Sequence, residues 1–456
     1  MEIEKAVMRQ HKFFASGRTK DYAFRRIALL KLQAGIRKYE KDLIKALQKD
    51  LHKSKSEAYM AEIGLTLSEL TYNLRHLARW MYPKYVHSSL LHFPAKSYVM
   101  PEPYGVTLIM APWNYPVLLC LEPLISAIAA GNCVVLKPSA YAPTVSKVLK
   151  KMLTELYPEK YVLVIEGGRE ENQKLLDCRF DKIFFTGGAA VGKEVLQKAV
   201  KHITPVTLEL GGKSPCIVDK TANIRLAAKR VAFGKILNSG QTCVAPDYLL
   251  LHENIKEPFL QCLEQEFIRM LGNEPLQNPD YPRIVNEKHY HRIMKLIQAE
   301  NIRFGGYGNR EDLQIAPTVL EDVTLDSLVM QEEIFGPILP VLTFQRREDV
   351  LGIIEHYEKP LACYLFTKDA KFKRWALKNI SFGGGCINDT IMHIASSELG
   401  FGGVGASGMG SYHGKKGFEC FSHEKSIVER GTWIDVPVRY QPYAKWKSFW
   451  IRKFLK

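Results

Sequence analysis

Residues 106–136 read VTLIMAPWNYPVLLCLEPLISAIAAGNCVVL, a short apolar strand, an apolar helix and a second apolar strand in succession. Uniformly apolar strands separated by helices are typical of a parallel sheet that is covered on both faces. The alternation continues to residue 210 and predicts a doubly wound α/β domain. The predicted elements are the strands Val106–Ala111, Cys133–Leu136, Tyr161–Ile165, Ile183–Phe185 and Val206–Leu210 and the helices Val117–Ala130, Thr144–Leu156 and Val191–Lys201.

The residues that flank this region predict further elements. Apolar positions at helical spacing indicate that the first 80 residues are helical. A second α/β alternation begins near Lys213 and runs to about residue 395. Its predicted elements are the helices Ile224–Leu237, Pro258–Leu271 and Glu287–Ala299 and the strand Tyr248–His252. Residues 85–104 and the chain from Glu419 onward are expected to be irregular or extended, and the two could pair.

Composition narrows the class of protein. The nine cysteines are scattered without a C-x-x-C pair, which fits neither a disulfide framework nor a zinc site and favours a reducing compartment such as the cytoplasm. The N-terminus lacks the apolar run of a signal peptide, and no stretch reaches the ~20 apolar residues of a membrane span. The net charge of +15 is spread along helices among acidic residues, so we expect a solvated surface and no nucleic-acid binding; attraction to an anionic membrane or an acidic cofactor is the alternative.

Two features lie where a parallel sheet binds ligands, at the carboxyl ends of its strands. The stretch Ile183–Lys193 places glycines between a buried strand and a helix, where backbone N–H groups can meet a phosphate. Lys137 directly follows another strand. Taken alone, the glycines also fit an ordinary tight turn and the lysine an ordinary surface position.

Cys243 and Glu209 are the strongest candidates for catalytic residues. Cys243 ends the polar, glycine-bearing loop Asn238–Cys243, whereas Cys133 and Cys216 lie in apolar strands and are expected in the core. A thiol with an ordinary pKa of about 8.5 needs a base or a positive potential to become a nucleophile. Glu209, between two leucines at a strand end, is a candidate base if it is buried, and a salt bridge to a lysine is the alternative.

Five motifs, in order along the chain, closely resemble those of the aldehyde dehydrogenase superfamily. They are Pro112–Pro116 (PWNYP), Leu208–Lys213 (LELGGK), Gly240–Cys243 (GQTC), Gln331–Pro337 (QEEIFGP) and Phe401–Gly405 (FGGVG). The short N-terminus and Asn388–His393 resemble the class 3 branch, which includes fatty and aromatic aldehyde enzymes. The resemblance covers essentially the whole chain.

The resemblance implies an α/β fold with a Rossmann-like NAD(P)-binding domain (residues 1–84 and 105–209) and a catalytic domain (210–397). It also implies a β extension that mediates homodimer formation, which we assign to residues 85–104 and 419–437, and leaves residues 438–456 as a tail. The implied reaction is the oxidation of medium- or long-chain aliphatic or aromatic aldehydes to carboxylic acids with NAD or NADP, and no metal is expected.

The resemblance also implies roles for individual residues. Cys243 is the nucleophile, Asn114 and the backbone N–H of Cys243 stabilise the oxyanion, and Glu209 activates the water that hydrolyses the thioester. Tyr115 lines the aldehyde tunnel. The cofactor residues are Trp113, Lys137, Ser139, Thr186, Gly187, Gly188, Val191, Gly192, Leu210, Gly211, Glu333 and Phe335.

Two positions depart from the family pattern. Ala140 stands where a glutamate often chelates the adenosine ribose, so we expect weakened preference for NAD and real use of NADP. Gly188 stands where a serine or threonine usually contacts the pyrophosphate, which backbone N–H groups can replace.

Two questions remain open at the level of sequence. Residues 444–456 form a basic stretch rich in Trp and Phe, which fits either a helix packed on its own protein or partner, or peripheral membrane contact. A relative that transfers the acyl group to coenzyme A and a non-catalytic binding protein are the alternatives to an acid-forming enzyme. The retained Glu209 argues against transfer to coenzyme A. The presence of all four residues Cys243, Glu209, Asn114 and Glu333 argues against a non-catalytic protein.

Overall fold

The computed structural model describes residues 3–88, 93–298 and 300–455. Parts of the predicted 85–104 segment and Ala299 of a predicted helix lie outside these ranges, as does Lys456. The helices are α1 (Ile3–Ala15), α2 (Tyr22–Leu51), α3 (Lys55–Ala58), α4 (Gly64–Met81), α5 (Leu118–Ala130), α6 (Pro143–Leu156), α7 (Arg169–Asp177), α8 (Ala189–Ala199), α9 (Ile224–Ile236), α10 (Lys256–Leu271), α11 (Glu287–Lys295), α12 (Leu328–Gln331), α13 (Arg347–Glu355), α14 (Ala370–Asn379), α15 (Gly414–Cys420) and α16 (Lys445–Phe454).

The strands fall into three larger sheets and a two-stranded ribbon. They are β1 (Lys84–Val86), β2 (Ala95–Pro103), β3 (Val106–Met110), β4 (Cys133–Lys137), β5 (Val162–Val164), β6 (Lys182–Thr186), β7 (Val206–Glu209), β8 (Pro215–Val218), β9 (Tyr248–His252), β10 (Asn301–Phe304), β11 (Gly308–Asn309), β12 (Gln314–Ile315), β13 (Thr318–Glu321), β14 (Ile338–Phe344), β15 (Ala362–Phe366), β16 (Gly384–Ile387), β17 (Gly408–Met409) and β18 (Ser422–Arg430).

The first sheet has the order β17-β7-β6-β3-β4-β5, and its strands are parallel except for β17. Every residue of β3, β4 and β6 is buried, as the apolar strand pattern predicts. The chain runs from β3 outward through β4 and β5 and then returns to place β6 on the other side of β3. The carboxyl ends of β3 and β6 therefore flank the switch point at which doubly wound sheets bind ligands.

The second sheet has the order β10-β13-β14-β9-β8-β15-β16 and is parallel except for the β10–β13 pair. Cys216 in β8 is fully buried, as is Cys133 in β4, so the prediction that both are core residues is confirmed. The two parallel sheets confirm the α/β fold class. All nine cysteines are free, in agreement with the expectation that they form no disulfide framework.

The third sheet joins the segment before β3 to the chain near its end. β18 pairs antiparallel with β2 over nine residues, from Ser422 opposite Pro103 to Arg430 opposite Ala95. The predicted pairing of these segments is confirmed, but the extended stretch begins at Ser422 and not at Glu419. Residues 414–420 are helical because Phe418 is buried and Glu419 pairs with Lys415 and Lys416 one turn earlier.

The predicted helical region at the N-terminus is confirmed, with breaks where the backbone becomes left-handed at Gly17 and His52. Near the other end, α16 has no buried residue, and Trp446, Phe449 and Phe454 are about half exposed. Among the described residues, no helix combines the length and apolarity needed to cross a membrane.

Candidate active site

The loop that carries Cys243 is held in an unusual backbone conformation. Asn238, Ser239 and Gly240 all have positive φ angles, and Gly240 lies so close to the Gly336 carbonyl that a Cβ would collide with it. Only glycine avoids both the backbone strain and the collision at that position. The following turn directs the half-buried Cys243 side chain to the wall of a cavity.

This cavity has a volume of about 200 Å³ and a mostly apolar lining. Tyr115, Leu119, Phe233, Ile394 and Phe401 are among its wall residues, together with Cys243. Two buried ionisable side chains also reach the wall, Glu122 and His413, which approach each other to 3.1 Å. The structure therefore places the predicted tunnel residue Tyr115 and the predicted nucleophile Cys243 in one apolar cavity.

Asn114 and Tyr115 follow β3 and are tied to the Cys243 loop. The Asn114 side-chain amide donates to the Gln241 carbonyl at 3.0 Å, and the Tyr115 hydroxyl lies 2.6 Å from the Thr242 hydroxyl. The main-chain carbonyl of Asn114 accepts hydrogen bonds from Lys53 and from the Asn238 side chain, each at 2.8 Å. Asn114 is buried, so these contacts fix it beside the residue it is predicted to assist.

Glu209 ends β7 with a carboxyl group that is buried and has no hydrogen-bond partner on either oxygen. A salt bridge to a lysine, the alternative considered from sequence, is absent at this residue among the described residues. Burial raises the pKa of the Glu209 carboxyl well above its usual value. The group therefore holds its proton more tightly than an exposed glutamate does, and it can accept a proton from a neighbouring molecule.

Burial also raises the pKa of the Cys243 thiol, and the nearby carboxyl groups of Glu333 and Glu209 raise it further. Backbone N–H groups at Cys243 and Val244 act in the opposite direction. The sulfur is therefore a thiol at neutral pH and must lose its proton to attack a carbonyl carbon.

Glu333 and Phe335 lie on the other side of the cysteine loop. Burial and the neighbouring Asp247 raise the pKa of Glu333 to about 8, although its carboxyl group accepts a backbone hydrogen bond from Gly212. Its carboxyl group lies where a Cβ on Gly211 would be, so a side chain at position 211 would displace Glu333. Phe335 has a positive φ of 50° and packs edge-on against Trp113, with ring centroids 5.4 Å apart.

The remaining predicted cofactor residues lie along the carboxyl edge of the first sheet. Lys137 is buried at the end of β4 and donates hydrogen bonds to the carbonyls of Pro138 and Gly167. The alternative that it is an ordinary surface lysine is therefore excluded. Thr186 ends β6 with a buried hydroxyl that has no partner. Ser139 is half-buried and accepts a hydrogen bond from the Tyr141 N–H.

Helix α8 begins directly after this edge. No side chain caps its N-terminus at Gly188, where a Cβ would meet open space. Val191 is exposed in its first turn, and Gly192 packs against Leu210, which follows β7. An uncapped helix start beside an unpartnered threonine hydroxyl fits the pyrophosphate of a dinucleotide. Ala140, three residues after Lys137 at the end of β4, is exposed and offers no carboxylate to a ribose.

Several residues of the site were missed at the sequence level. Lys53 lies between α2 and α3, Glu57 lies in α3, and Glu62 lies between α3 and α4. Asn238 and Gln241 belong to the cysteine loop itself. The two loop residues belong to a motif that the sequence already singled out. The three charged residues carry no such signal, because charged side chains between helices normally face solvent.

A doubly wound sheet with a glycine turn at its switch point is typical of enzymes that use a dinucleotide. The model of the aldehyde dehydrogenase family matches residues 1–427, and the chain belongs to that family. It is an NAD(P)-dependent aldehyde dehydrogenase, and the predicted superfamily is confirmed.

Two curated relatives locate the chain within the family. It is 48% identical to the 4,4'-diaponeurosporen-aldehyde dehydrogenase of Staphylococcus aureus, covering 100% of this chain and 99% of the relative. It is 41% identical to aldehyde dehydrogenase family 3 member A2 of Pongo abelii, covering 100% and 94%. The predicted class 3 resemblance is therefore confirmed.

Solved structures agree on the fold. A substrate-bound Staphylococcus aureus AldH superimposes with a TM-score of 0.98 at 48% identity, covering 100% of this chain and 99% of that one. An NAD-dependent aldehyde dehydrogenase from Sinorhizobium meliloti gives a TM-score of 0.85 at 27% identity, covering 94% and 88%.

Proposed function

We propose that this enzyme oxidises medium- or long-chain aliphatic or aromatic aldehydes to carboxylic acids through a thioester on Cys243. The observation that carries the proposal is the half-buried Cys243 in the wall of an apolar cavity, with the unpartnered carboxyl group of Glu209 close enough to raise its pKa. An apolar wall favours an apolar substrate because its burial releases water from both surfaces.

In the first half of the reaction, the Cys243 thiol releases its proton to solvent water, and the sulfur attacks the aldehyde carbon. The negative charge that forms on the oxygen is stabilised by the second hydrogen of the Asn114 amide, which Gln241 leaves free, and by the Cys243 N–H. Preorganised donors of this kind typically lower a barrier by about 3 kcal/mol each. A bound NAD or NADP would supply the hydride acceptor for this oxidation, and Cys243 would then carry the acyl group as a thioester.

In the second half, Glu209 in its carboxylate form takes a proton from water, and the resulting hydroxide attacks the thioester. The acid leaves and the Cys243 sulfur is freed. Glu209 suits this step because its oxygens have no competing partner, so a water molecule in contact with it is the acceptor of the acyl group. This assignment favours hydrolysis over transfer to coenzyme A.

We assign the cofactor to residues along the sheet edge. Lys137, Ser139, Thr186, Gly187 and Gly188 would hold the adenosine and phosphate part. Trp113, Glu333 and Phe335 would hold the nicotinamide ribose and ring beside Cys243. Val191, Gly192, Leu210 and Gly211 would complete the contact surface.

These roles imply a domain organisation for the chain. Residues 1–84 and 105–209 would form the cofactor-binding domain, and residues 210–397 the catalytic domain. Residues 85–104 and 419–437 would bridge two subunits. Gly408 and Met409 return to the first sheet beside Glu209, which ties the chain beyond residue 397 to the cofactor side.

We propose a homodimer whose interface uses two of the edge strands that are open in the single chain. β18 pairs only with β2, and β16 only with β15, among the described residues. Each edge carries an exposed apolar side chain, Val428 and Ile387 respectively. An open edge with apolar side chains is stabilised when a second chain covers it.

We propose that α16 makes peripheral contact with an anionic membrane. Trp446, Phe449, Trp450 and Phe454 are exposed on a helix that also carries lysine and arginine. Aromatic side chains prefer the headgroup level of a bilayer, and the cationic groups are attracted to its surface.

The central test measures NADH and NADPH formation across a series of aldehydes of increasing chain length. We expect kcat/KM to rise from short to medium and long chains, activity with both cofactors, and loss of activity in Cys243→Ser. The product is expected to be the free acid, identified by mass spectrometry. Equal activity in Cys243→Ser would overturn the thioester mechanism, and a preference for NAD above roughly a hundredfold (about 2.7 kcal/mol) would contradict the role given to Ala140.

A further inference from the structure

Lys53 is a lysine with no exposed surface that belongs to none of the motifs assigned above. It follows α2 directly after His52, whose left-handed backbone ends the helix and turns the chain inward. Burying an ammonium group is costly unless its hydrogens are satisfied, so the partners of Lys53 define what the residue does.

All three partners of the ammonium group are next to the active site or lead to it. Lys53 Nζ lies 2.6 Å from a Glu62 carboxylate oxygen and donates to the Asn114 carbonyl at 2.8 Å. It also lies 4.0 Å from the centre of the Tyr115 ring, a cation–π contact. A single cation therefore touches two consecutive residues of the motif Pro112–Pro116, Asn114 and Tyr115.

Glu62 completes the contact from the other side. It is fully buried on a single π-helical turn, Tyr59–Ile63, between α3 and α4. One carboxylate oxygen meets Lys53, and the other accepts the N–H groups of Val117 and Leu118 at 2.7 and 3.3 Å. These N–H groups open α5, which has no capping side chain of its own, so Glu62 supplies the cap.

The Lys53–Glu62 pair thus holds residues 114–118 at both ends. The same segment is also hydrogen-bonded to the cysteine loop. Asn114 bonds to Gln241, and Tyr115 bonds to Thr242. The bonds to the Asn114 carbonyl hold the backbone from which its side-chain amide projects. A displacement of about 1 Å in such a group can cost roughly a hundredfold in rate.

We propose that Lys53, anchored by Glu62, is a positioning residue that orients Asn114 toward the oxyanion formed at Cys243. It acts on the step in which the thioester forms, without touching the substrate. This inference rests on the role of Asn114 given under the proposed function.

Lys53→Met alone would leave the Glu62 carboxylate buried without a cation, and that enzyme can fail to fold. The test therefore uses the paired change Lys53→Met with Glu62→Gln, which removes both charges and keeps an acceptor for the α5 cap. Lys182→Met is the matched control, because Lys182 is also buried and donates to Thr207 at 2.8 Å, but lies at the opposite end of β6.

The readout is the rate of the first NADH turnover. It is measured in the wild type, in Asn114→Ala, in the paired variant and in the variant that combines all three substitutions. We expect the paired change to lower this rate roughly 10- to 100-fold when Asn114 is present and less than about threefold when it is alanine. The affinity for NADH, measured by fluorescence, and the rate of Lys182→Met are expected to change less than about twofold.

Equal losses with and without Asn114 would overturn the inference, because they would show that the pair acts through general structural damage. An unaffected rate in the paired variant would overturn it as well, even where Asn114→Ala is slow and the proposed function stands. An Asn114→Ala enzyme as fast as wild type would overturn both the donor role of Asn114 and the inference built on it.

Discussion

At the scale of single residues, Glu209 combines two properties that rarely coexist. Its carboxyl group is buried, and neither oxygen has a hydrogen-bond partner. Such a group is costly to keep in a folded protein unless it serves another purpose. The raised pKa means that the reactive carboxylate grows in population as the pH rises, so a step that needs Glu209 as a base must become faster with pH.

We therefore predict that Glu209→Gln lowers kcat by about 100-fold or more, which is the usual contribution of a general base. The first turnover should survive as a burst of NADH, because hydrolysis and not thioester formation is impaired. The rise of kcat with pH should flatten in the same variant. Stopped-flow absorbance and a pH series measure both effects, with Cys243→Ser as the control that gives no burst. A variant with wild-type kcat, or one that loses the burst, would contradict the assignment of Glu209 to the water step.

The residues of the site differ in how far sequence could predict them. Cys243 stood out because a cysteine in a polar glycine-bearing loop differs from a cysteine in an apolar strand, and that contrast is local. Glu209 stood out for the same reason, but its lack of partners depends on every neighbouring element. Lys53 gave no signal, since its burial results from a left-handed residue at 52 and a π turn that no pattern of apolar residues encodes.

At the scale of secondary-structure elements, the parallel strands were predictable because each is an uninterrupted apolar run between helices. The ends of helices were less predictable. The helix predicted over Glu287–Ala299 ends at Lys295 as α11, and the buried Leu296 and Ile297 follow in a turn. β17 was not predictable at all. Its two residues, Gly408 and Met409, form a strand only because β7, two hundred residues earlier, offers an open edge.

The open edge of β18 leads to a prediction about assembly. We expect the wild-type chain to elute with a mass near twice its 51.9 kDa. Val428→Lys should shift the enzyme toward the monomer, because a lysine on an edge strand opposes strand pairing. Light scattering coupled to size-exclusion chromatography measures the mass over a dilution series. Val200→Lys is the matched control, an exposed valine in a turn after α8. A wild-type monomer, or an equally stable dimer in Val428→Lys, would rule out this edge as the interface.

At the scale of the whole molecule, the excess of 15 positive charges and the aromatic α16 act in the same direction. In the proposed membrane contact, charge would draw the protein toward an anionic surface over about a Debye length, ~10 Å in 0.1 M salt. The exposed Trp and Phe side chains would then enter the headgroup layer. Such an arrangement would bring the cavity of Cys243 to apolar aldehydes that partition into lipid. The tail would thus serve the same substrate class as the apolar cavity.

We predict that the full chain sediments with vesicles containing anionic lipid, and that deletion of residues 440–456 abolishes this binding. Binding of the full chain should weaken in high salt, because the electrostatic part is screened. Replacement of Trp446 and Trp450 by serine should weaken it at constant charge, which separates the aromatic contribution from the ionic one. The truncated enzyme should keep its kcat on a short, water-soluble aldehyde, which shows that its fold is intact. Equal sedimentation of full and truncated chains would remove the membrane role, and a loss of dimer mass on truncation would assign α16 to the partner subunit instead.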